Sequence, residues 1–330
     1  MTTHDKTAPR VLNVGRIAPA LLTRLAEHYA LSDLADVTDL SARLRTQGAE
    51  FEALVTSAPV GADASLMAAL PKLRVISSFG VGLDRIDLAA AKARGIQVGY
   101  TPHVLDDCVA DTAIGLVLDV ARGFSTSDRY VRSGRWPSGP FPAMRKVTGA
   151  RLGIVGFGRI GQQIALRSQG FRMEVRYHAR RPIASSALPH EPSLHALADW
   201  ADFLVLALPG GAATQNAVDA SVLTALGPQG FLINIARGSV VDEDALVKAL
   251  EDGAIAGAGL DVYQNEPHVP QRLLALDNVV LLPHVGSNTR ETRSAMADLV
   301  VNNLQSFFSR GKVVECAEQQ TSPASGLQAG

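Results

Sequence analysis

A glycine-rich stretch near the middle of the chain limits which folds this sequence can adopt. It reads Arg-Leu-Gly-Ile-Val-Gly-Phe-Gly-Arg-Ile-Gly over residues 151–161, and Gly156, Gly158 and Gly161 have the G-x-G-x-x-G spacing. The apolar residues before them are typical of a strand buried on both faces, and the glycines let such a strand turn sharply into a helix. The unpaired N–H groups at the helix N-terminus favour a pyrophosphate. The stretch therefore predicts a dinucleotide-binding turn, although ordinary β–α turns can match the same spacing.

Apolar runs alternate with helical patterns through the rest of the chain. In the second half they predict strands at 152–156, 174–178, 203–208, 231–236, 257–262 and 279–283. Shorter runs in the first hundred residues predict a smaller parallel α/β unit that lacks the glycine spacing. A last helix is predicted from Thr289 to Ser309, and the Gln/Ser/Gly-rich tail 317–330 is predicted to be disordered.

Length and composition indicate an ordinary globular protein of two domains. The chain has 330 residues, of which 47% are apolar and 19% charged. No apolar run is long enough to cross a membrane and the segment Met1–Pro9 is polar, so we expect a cytoplasmic protein. A net charge of -1 without a Lys/Arg block argues against nucleic-acid binding. Cys108 and Cys316 lack neighbouring Cys or His ligands, so we expect neither a disulfide nor a metal site.

One segment interrupts the regular alternation. A helical pattern from Asp106 to Arg122 joins the two halves, and residues 123–148 after it show no periodicity. This segment contains Trp136 and Phe141 among prolines and glycines. Because a structureless segment of this length is unusual in a compact domain, we interpret it as an excursion onto another subunit. A flexible surface loop is the alternative interpretation.

Three polar side chains, Arg237, Glu266 and His284, follow predicted strands of the second half. Ligands of open α/β sheets bind at such strand ends. Taken singly, each residue has a structural explanation, as a surface charge, a loop end or a structural histidine. Together they supply a guanidinium for a carboxylate, an imidazole for proton transfer and a carboxylate that holds the imidazole, the groups that a 2-oxo acid reductase requires. In the first half, the N–H groups of residues 80–82 could bind a carboxylate, unless this glycine turn is only structural.

With these residues the chain resembles the D-isomer-specific 2-hydroxyacid dehydrogenases, and within them the glyoxylate/hydroxypyruvate reductase branch. The resemblance covers nearly the whole chain and rests on residues 75–87, 104–111, the glycine stretch, 234–241, 259–267 and 282–287. It implies an α/β fold in which a Rossmann-type doubly wound nucleotide domain is inserted in a smaller, flavodoxin-like substrate domain. The nucleotide domain would be residues 102–289, and the substrate domain residues 1–101 with 290–330.

The resemblance also assigns roles to individual residues. Arg237, Glu266 and His284 are the implied catalytic set: His284 protonates the forming alkoxide and Glu266 holds its other ring nitrogen. Arg237 would bind the substrate carboxylate together with the backbone amides of Val81 and Gly82. The implied cofactor-binding set is Gly156, Phe157, Gly158, Arg159, Ile160, Gly161, Ala179, Arg180, Arg181, Pro209, Ile235 and Asp261. A homodimer is implied as well, formed through the Rossmann domain and residues 123–148, with Trp136 or Phe141 as candidates to reach the partner's active site.

The residues after the second predicted strand of this domain favour NADPH over NADH. An Asp or Glu at this place would bind the ribose 2′-OH of NADH, whereas this chain has Ala179, Arg180 and Arg181. Guanidinium groups can pair with a 2′-phosphate, and Arg180 is the position that the resemblance matches. A solvated basic turn is the alternative.

Several activities remain as alternatives. An enzyme with the same fold could instead reduce phenylpyruvate or hydroxyphenylpyruvate, or it could reduce 2-ketogluconate. A dinucleotide-sensing corepressor would use the same fold as a binding switch, but the complete catalytic set favours an enzyme. Phosphoglycerate dehydrogenase is disfavoured because no regulatory domain follows residue 316. Formate dehydrogenase is disfavoured because that branch carries Gln at the position of Glu266.

Overall fold

The computed structural model of the chain describes residues 8–317. The chain divides into two compact units, one up to Leu105 together with the residues from Arg290 onward, the other Asp106–Thr289. The family resemblance implies a slightly earlier first boundary, at 101/102, and the intervening residues belong to no helix or strand. Within residues 8–317, no helix combines the length and the apolar character needed to span a membrane.

The first unit contains a five-stranded parallel sheet. Its elements are β1 Arg10–Asn13, α1 Pro19–Ala26, β2 Ala30–Asp33, α2 Leu40–Gln47, β3 Ala53–Ser57, α3 Ala64–Ala68, β4 Val75–Phe79, α4 Leu88–Ala93 and β5 Gln97–Gly99, joined at the end of the chain by α12 Arg290–Arg310. The strand order is β2-β1-β3-β4-β5, the flavodoxin-like order. α12 packs on this sheet, where the Ser77 hydroxyl donates to the Val300 carbonyl at 3.1 Å. The predicted disordered tail lies, apart from Ala317, outside the described residues.

The second unit contains a six-stranded parallel sheet. Its elements are α5 Asp106–Arg122, α6 Phe124–Arg132, β6 Arg151–Val155, α7 Arg159–Ser168, β7 Glu174–His178, α8 Leu194–Trp200, β8 Phe203–Leu206, α9 Ala220–Leu226, β9 Phe231–Asn234, α10 Glu243–Glu251, β10 Gly257–Leu260, α11 Gln271–Leu274 and β11 Val279–Leu281. The order β11-β10-β9-β8-β6-β7 confirms the predicted doubly wound sheet. Connections leave β6 in opposite directions toward β7 and β8, so a ligand crevice is expected at the carboxyl end of β6.

The prediction of no regular structure over residues 123–148 is wrong for its first part. Phe124–Arg132 forms α6, which begins after Gly123 turns the chain in a left-handed conformation at φ 63°. The Asp119 carboxylate in the last part of α5 accepts the Ser125 N–H at 2.8 Å and so fixes this turn. No residue of α6 is buried, and Phe124 and Val131 are each about half exposed. The sequence gives little signal for α6 because this helix is short and its apolar residues do not face the chain's own core.

Candidate active site

The glycine turn occupies the crevice end of β6. Gly156 has a φ of 90°, and a Cβ there would lie 2.6 Å from the Ala207 carbonyl oxygen at the end of β8. A Cβ at Gly161 would lie 2.3 Å from the Gly156 oxygen. These two glycines are therefore required by the protein's own packing, which leaves almost no space at either position.

Gly158 differs from the other two glycines. Its φ of -75° is available to any residue, and a Cβ there would meet nothing within 4 Å. It is the N-cap of α7, and no side chain caps the helix. The open space and the uncapped amides suit a pyrophosphate that approaches the backbone, so the turn fits a dinucleotide. Phe157, Arg159 and Ile160 complete the turn, and the Arg159 guanidinium pairs with Asp106 at 3.0 Å.

Glu266 and His284 are brought together from the loops that follow β10 and β11. The Nδ1 atom of His284 lies 2.7 Å from Oε2 of Glu266, and both side chains are partly buried. Burial alone would raise the pKa of the Glu266 carboxyl, but the hydrogen bond and the charge of His284 outweigh it and hold that pKa below its usual value. The Tyr263 amide, which donates to Oε1 at 3.1 Å, and the charge of Arg237 act in the same direction. The pair therefore combines an ionised carboxylate with an imidazole.

Arg237 lies in the turn that follows β9. The buried Asn234 side chain holds this turn, because its Oδ1 accepts the Ala236 N–H at 3.0 Å and its Nδ2 donates to the Arg237 carbonyl at 3.0 Å. The next residue, Gly238, packs directly on the loop that carries Glu266: a Cβ there would lie 1.9 Å from the Tyr263 carbonyl carbon. The turn and that loop are thus fixed against each other, and the Arg237 charge lies within range of Glu266.

The backbone at His284 adopts a left-handed conformation with a φ of 54°. This region is unfavourable for a residue with a side chain. Asp261, at the end of β10, holds the following residues: it accepts the Val285 N–H at 2.6 Å and the Gly286 N–H at 2.8 Å. Burial raises the pKa of the Asp261 carboxyl despite these two donors. The Tyr263 hydroxyl fixes the other side of the turn by donating to the Leu282 carbonyl at 3.0 Å.

The remaining predicted residues follow other strands. Ala179, Arg180 and Arg181 come directly after β7, and both arginines are exposed. Pro209 and Ile235 follow β8 and β9, so every predicted cofactor residue lies at the carboxyl edge of the second sheet. The predicted substrate residues Val81 and Gly82 belong to the first unit, where they follow β4.

Sequence reasoning assigned no role to three residues that shape this site. Asn234 fixes the backbone that carries Arg237, the Tyr263 amide holds the Glu266 carboxylate, and Asp106 pairs with Arg159 of the glycine turn. Asn234 and Tyr263 do lie in the segments that carry the family resemblance, so their position was a usable signal. Asp106 also lies in one of those segments, 104–111, but an acidic residue in the first turn of a helix is a common feature and does not by itself indicate a partner.

Comparisons with known proteins identify the family of the chain. Residues 114–286 match the family model for the D-isomer specific 2-hydroxyacid dehydrogenase, NAD binding domain. The chain is 50% identical over 269 residues to glyoxylate/hydroxypyruvate reductase A HPR2 of Arabidopsis thaliana, covering 82% of this chain and 86% of the relative. It is 48% identical over 266 residues to hydroxyphenylpyruvate reductase of Plectranthus scutellarioides, covering 81% and 85%.

A solved structure extends the comparison to the fold. The NADPH-dependent glyoxylate/hydroxypyruvate reductase of Sinorhizobium meliloti, in complex with NADP and malonate, has a TM-score of 0.88 and 42% identity, covering 97% of this chain and 100% of that one. The fold and the glycine turn, with these relatives, define an NAD(P)-dependent oxidoreductase. The chain belongs to the D-isomer-specific 2-hydroxyacid dehydrogenase family.

Proposed function

We propose that this enzyme reduces small 2-oxo acids to D-2-hydroxy acids with NADPH, and that hydroxypyruvate and glyoxylate are its leading substrates. The observation that carries the proposal is the 2.7 Å contact between His284 and Glu266 in a site that also contains Arg237. An acid–base pair beside a guanidinium suits a substrate that has a carbonyl next to a carboxylate. The relatives named as glyoxylate/hydroxypyruvate reductases support this substrate class.

The proposed mechanism assigns one task to each side chain. Bound NADPH, held by the glycine turn, Asp261 and the basic residues after β7, would supply the hydride. Arg237 binds the substrate carboxylate through a planar, bidentate contact. His284, whose Nδ1 is engaged by Glu266, donates the Nε2 proton to the developing alkoxide. Glu266 stabilises the imidazolium before this step and fixes the ring orientation throughout it.

A panel of substrates tests the choice of 2-oxo acid. Initial rates with NADPH would be compared for hydroxypyruvate, glyoxylate, phenylpyruvate, hydroxyphenylpyruvate and 2-ketogluconate. We expect the highest kcat/KM for hydroxypyruvate or glyoxylate. The relative named hydroxyphenylpyruvate reductase makes aromatic 2-oxo acids the second candidate. A kcat/KM that is tenfold higher for an aromatic acid than for hydroxypyruvate would establish that second candidate instead.

The proposed preference for NADPH rests on the exposed Arg180 and Arg181 after β7. This position approaches the adenosine ribose in a doubly wound nucleotide domain. No carboxylate occupies residues 179–181, so nothing there would repel a 2′-phosphate. The S. meliloti relative is named as NADPH-dependent, which supports the same preference.

Replacing Arg180 with Ala should weaken the binding of NADPH far more than the binding of NADH. Loss of a charged hydrogen bond corresponds to about 1.5–3 kcal/mol, so KM for NADPH should rise roughly 10- to 100-fold. KM for NADH should change less than about twofold, because NADH lacks the 2′-phosphate. The loss for NADPH should shrink with added salt, which screens the interaction at an exposed site.

Steady-state kinetics with both cofactors at two ionic strengths measure this effect. Arg310→Ala is the matched control, since it removes an equal charge from the exposed end of α12. An equal loss for both cofactors, or a wild-type enzyme that prefers NADH, would contradict the proposed preference.

A second prediction concerns Gly158. Gly158→Ala should leave the melting temperature nearly unchanged, because the added Cβ meets no protein atom. It should lower the binding affinity for both NADPH and NADH by roughly tenfold, because the methyl group occupies the space in which the pyrophosphate approaches the backbone. Gly170→Ala, also in open space but beyond the far end of α7, should bind both cofactors normally. Titration of the protein with each cofactor decides: unchanged affinity in Gly158→Ala would show that the pyrophosphate binds elsewhere.

We further propose that the second unit binds the cofactor and that the first unit, which includes α12, binds the substrate.

We also propose that the protein is a homodimer. The exposed apolar residues Phe124, Val131 and Trp136 support a dimer contact in the segment 123–148. Trp136 is 65% exposed, whereas Phe141 packs edge-on against Tyr130 with ring centroids 5.5 Å apart. Trp136 is therefore the better candidate to reach a partner. Light scattering of the purified protein gives the oligomeric state directly.

A further inference from the structure

Residues 179–189, which include Arg180 and Arg181 and are called the basic loop here, leave the edge of the second sheet and return to it. β7 is the edge strand of that sheet. The returning residues pair with its free edge: the Tyr177 N–H donates to the Pro189 carbonyl at 3.1 Å, and the Glu191 N–H donates to the Tyr177 carbonyl at 2.8 Å. The two ends of the basic loop therefore lie side by side.

Two histidines, one at each end, cross-link the basic loop. Nδ1 of His178 lies 3.0 Å from the Glu191 carbonyl oxygen, and Nε2 of His190 lies 2.8 Å from the Ala179 carbonyl oxygen. A carbonyl only accepts, so each of these ring nitrogens must carry a proton and donate it. Each histidine thus donates to the backbone of the opposite end, and both rings are partly buried.

Tyr177 provides a further link between the basic loop and the glycine turn. Its hydroxyl accepts the Ile183 N–H at 2.8 Å. Its ring stacks on Phe157 of the glycine turn, with centroids 4.1 Å apart, and lies 5.3 Å from the His190 ring. The basic loop is therefore held in a fixed relation to the turn that is proposed to receive the pyrophosphate.

The bond from His190 bears directly on Arg180. The Ala179 carbonyl belongs to the planar peptide group that joins Ala179 to Arg180. Fixing this oxygen fixes the peptide plane and with it the position of the Arg180 Cα atom, from which the side chain begins. A free loop would have to be ordered when the phosphate binds, and prior ordering removes that cost.

We propose that His190, assisted by His178, is a positioning residue for selectivity toward NADPH: it orders the basic loop so that Arg180 and Arg181 meet the 2′-phosphate. The proposal rests on the proposed NADPH preference and extends it to residues outside direct contact with the cofactor. NADH has no 2′-phosphate for the basic loop to bind, so loss of this order should affect NADPH binding selectively.

The test compares three substitutions at one position and one at the other. His190→Phe keeps a ring but removes the donor, so the dissociation constant for NADPH should rise about 3- to 10-fold, the effect of one net hydrogen bond. His190→Gln places an N–H close to the former Nε2 and should restore most of the affinity. His190→Ala should resemble His190→Phe, and His178→Leu should show the same selective loss to a smaller extent. Binding of NADPH and NADH is measured by titrating the protein fluorescence.

The NADH measurement separates a positioning role from a merely structural one. In His190→Phe the dissociation constant for NADH should stay within about twofold of wild type, which also reports that the second unit is folded. His195→Phe, on the exposed surface of α8, is the matched control and should bind both cofactors normally. Equal weakening of NADPH and NADH, or a His190→Gln enzyme as weak as His190→Phe, would overturn the proposal.

The double variant distinguishes failure of this proposal from failure of the NADPH preference. If His190 acts through Arg180, then His190→Phe should have little further effect on NADPH once Arg180 is Ala. Additive losses in the double variant would reject action through Arg180. If Arg180→Ala by itself leaves NADPH binding unchanged, the proposed preference fails first, and the histidine proposal fails with it. If only Arg180→Ala has an effect, the preference stands and the role of His190 is rejected.

Discussion

Replacing His284 with Gln should lower kcat by about 10²- to 10⁴-fold, the range typical for loss of a general acid. Gln preserves a polar group of similar size beside Glu266 but has no proton to give at neutral pH. The affinity for NADPH should change little, because the proposed contacts of the cofactor lie elsewhere. Steady-state kinetics with hydroxypyruvate, together with cofactor titration, measure the two quantities separately.

His195→Gln makes the same chemical change on the exposed surface of α8 and is the control. It should retain wild-type kcat. An active His284→Gln enzyme, with kcat within a few-fold of wild type, would remove His284 from the mechanism. Loss of cofactor affinity in parallel with kcat would indicate that the substitution disturbs the turn around Val285 and Gly286 rather than proton transfer.

Arg237→Lys should reduce kcat/KM for every 2-oxo acid by an amount equivalent to roughly 1–3 kcal/mol. The substitution keeps the positive charge, so attraction of the substrate carboxylate survives. It loses the planar fork that binds two oxygen atoms at once, and the orientation of the substrate suffers. The loss should appear in both KM and kcat because orientation matters in the transition state as well as in binding.

Arg272→Lys is the matched control for this experiment. Arg272 pairs with Glu251 on the exposed surface of the same unit, and its replacement should leave kcat/KM unchanged. A thermal melt checks that Arg237→Lys folds. If kcat/KM of Arg237→Lys equals that of wild type for all substrates of the panel, the carboxylate is bound by another group.

The fold was predictable because its signals are strong and local. Strands such as β6 and β9 are continuous apolar runs, and helix α5 begins and ends at the predicted residues. β2 and α2 gave weaker signals: β2 has no buried residue, and only Leu44 is buried in α2. A sequence pattern reports burial against the chain's own core, so elements that bury little are missed.

The candidate site was predictable for a different reason. Parallel strands bring their carboxyl ends to one edge, so polar residues after β9, β10 and β11 meet although Arg237 and His284 are far apart in the sequence. What could not be predicted is how the backbone between them is held. The bonds from Asn234, Tyr263 and the histidines of the basic loop depend on where single carbonyl groups point, and periodicity carries no information on that.

If His284 is the proton donor, as proposed, its left-handed backbone places stability and turnover in conflict at one residue. A residue with a side chain is disfavoured in this conformation by about 1–2 kcal/mol, whereas Gly adopts it readily and Asn at reduced cost. Selection for thermal stability alone would favour one of those residues in this turn, and neither can donate a proton as imidazolium does. The two backbone bonds to the buried Asp261 offset part of the strain. Attempts to stabilise this enzyme by consensus or computational substitution should therefore leave the turn untouched, because under the proposed mechanism the most stable sequence there would be inactive.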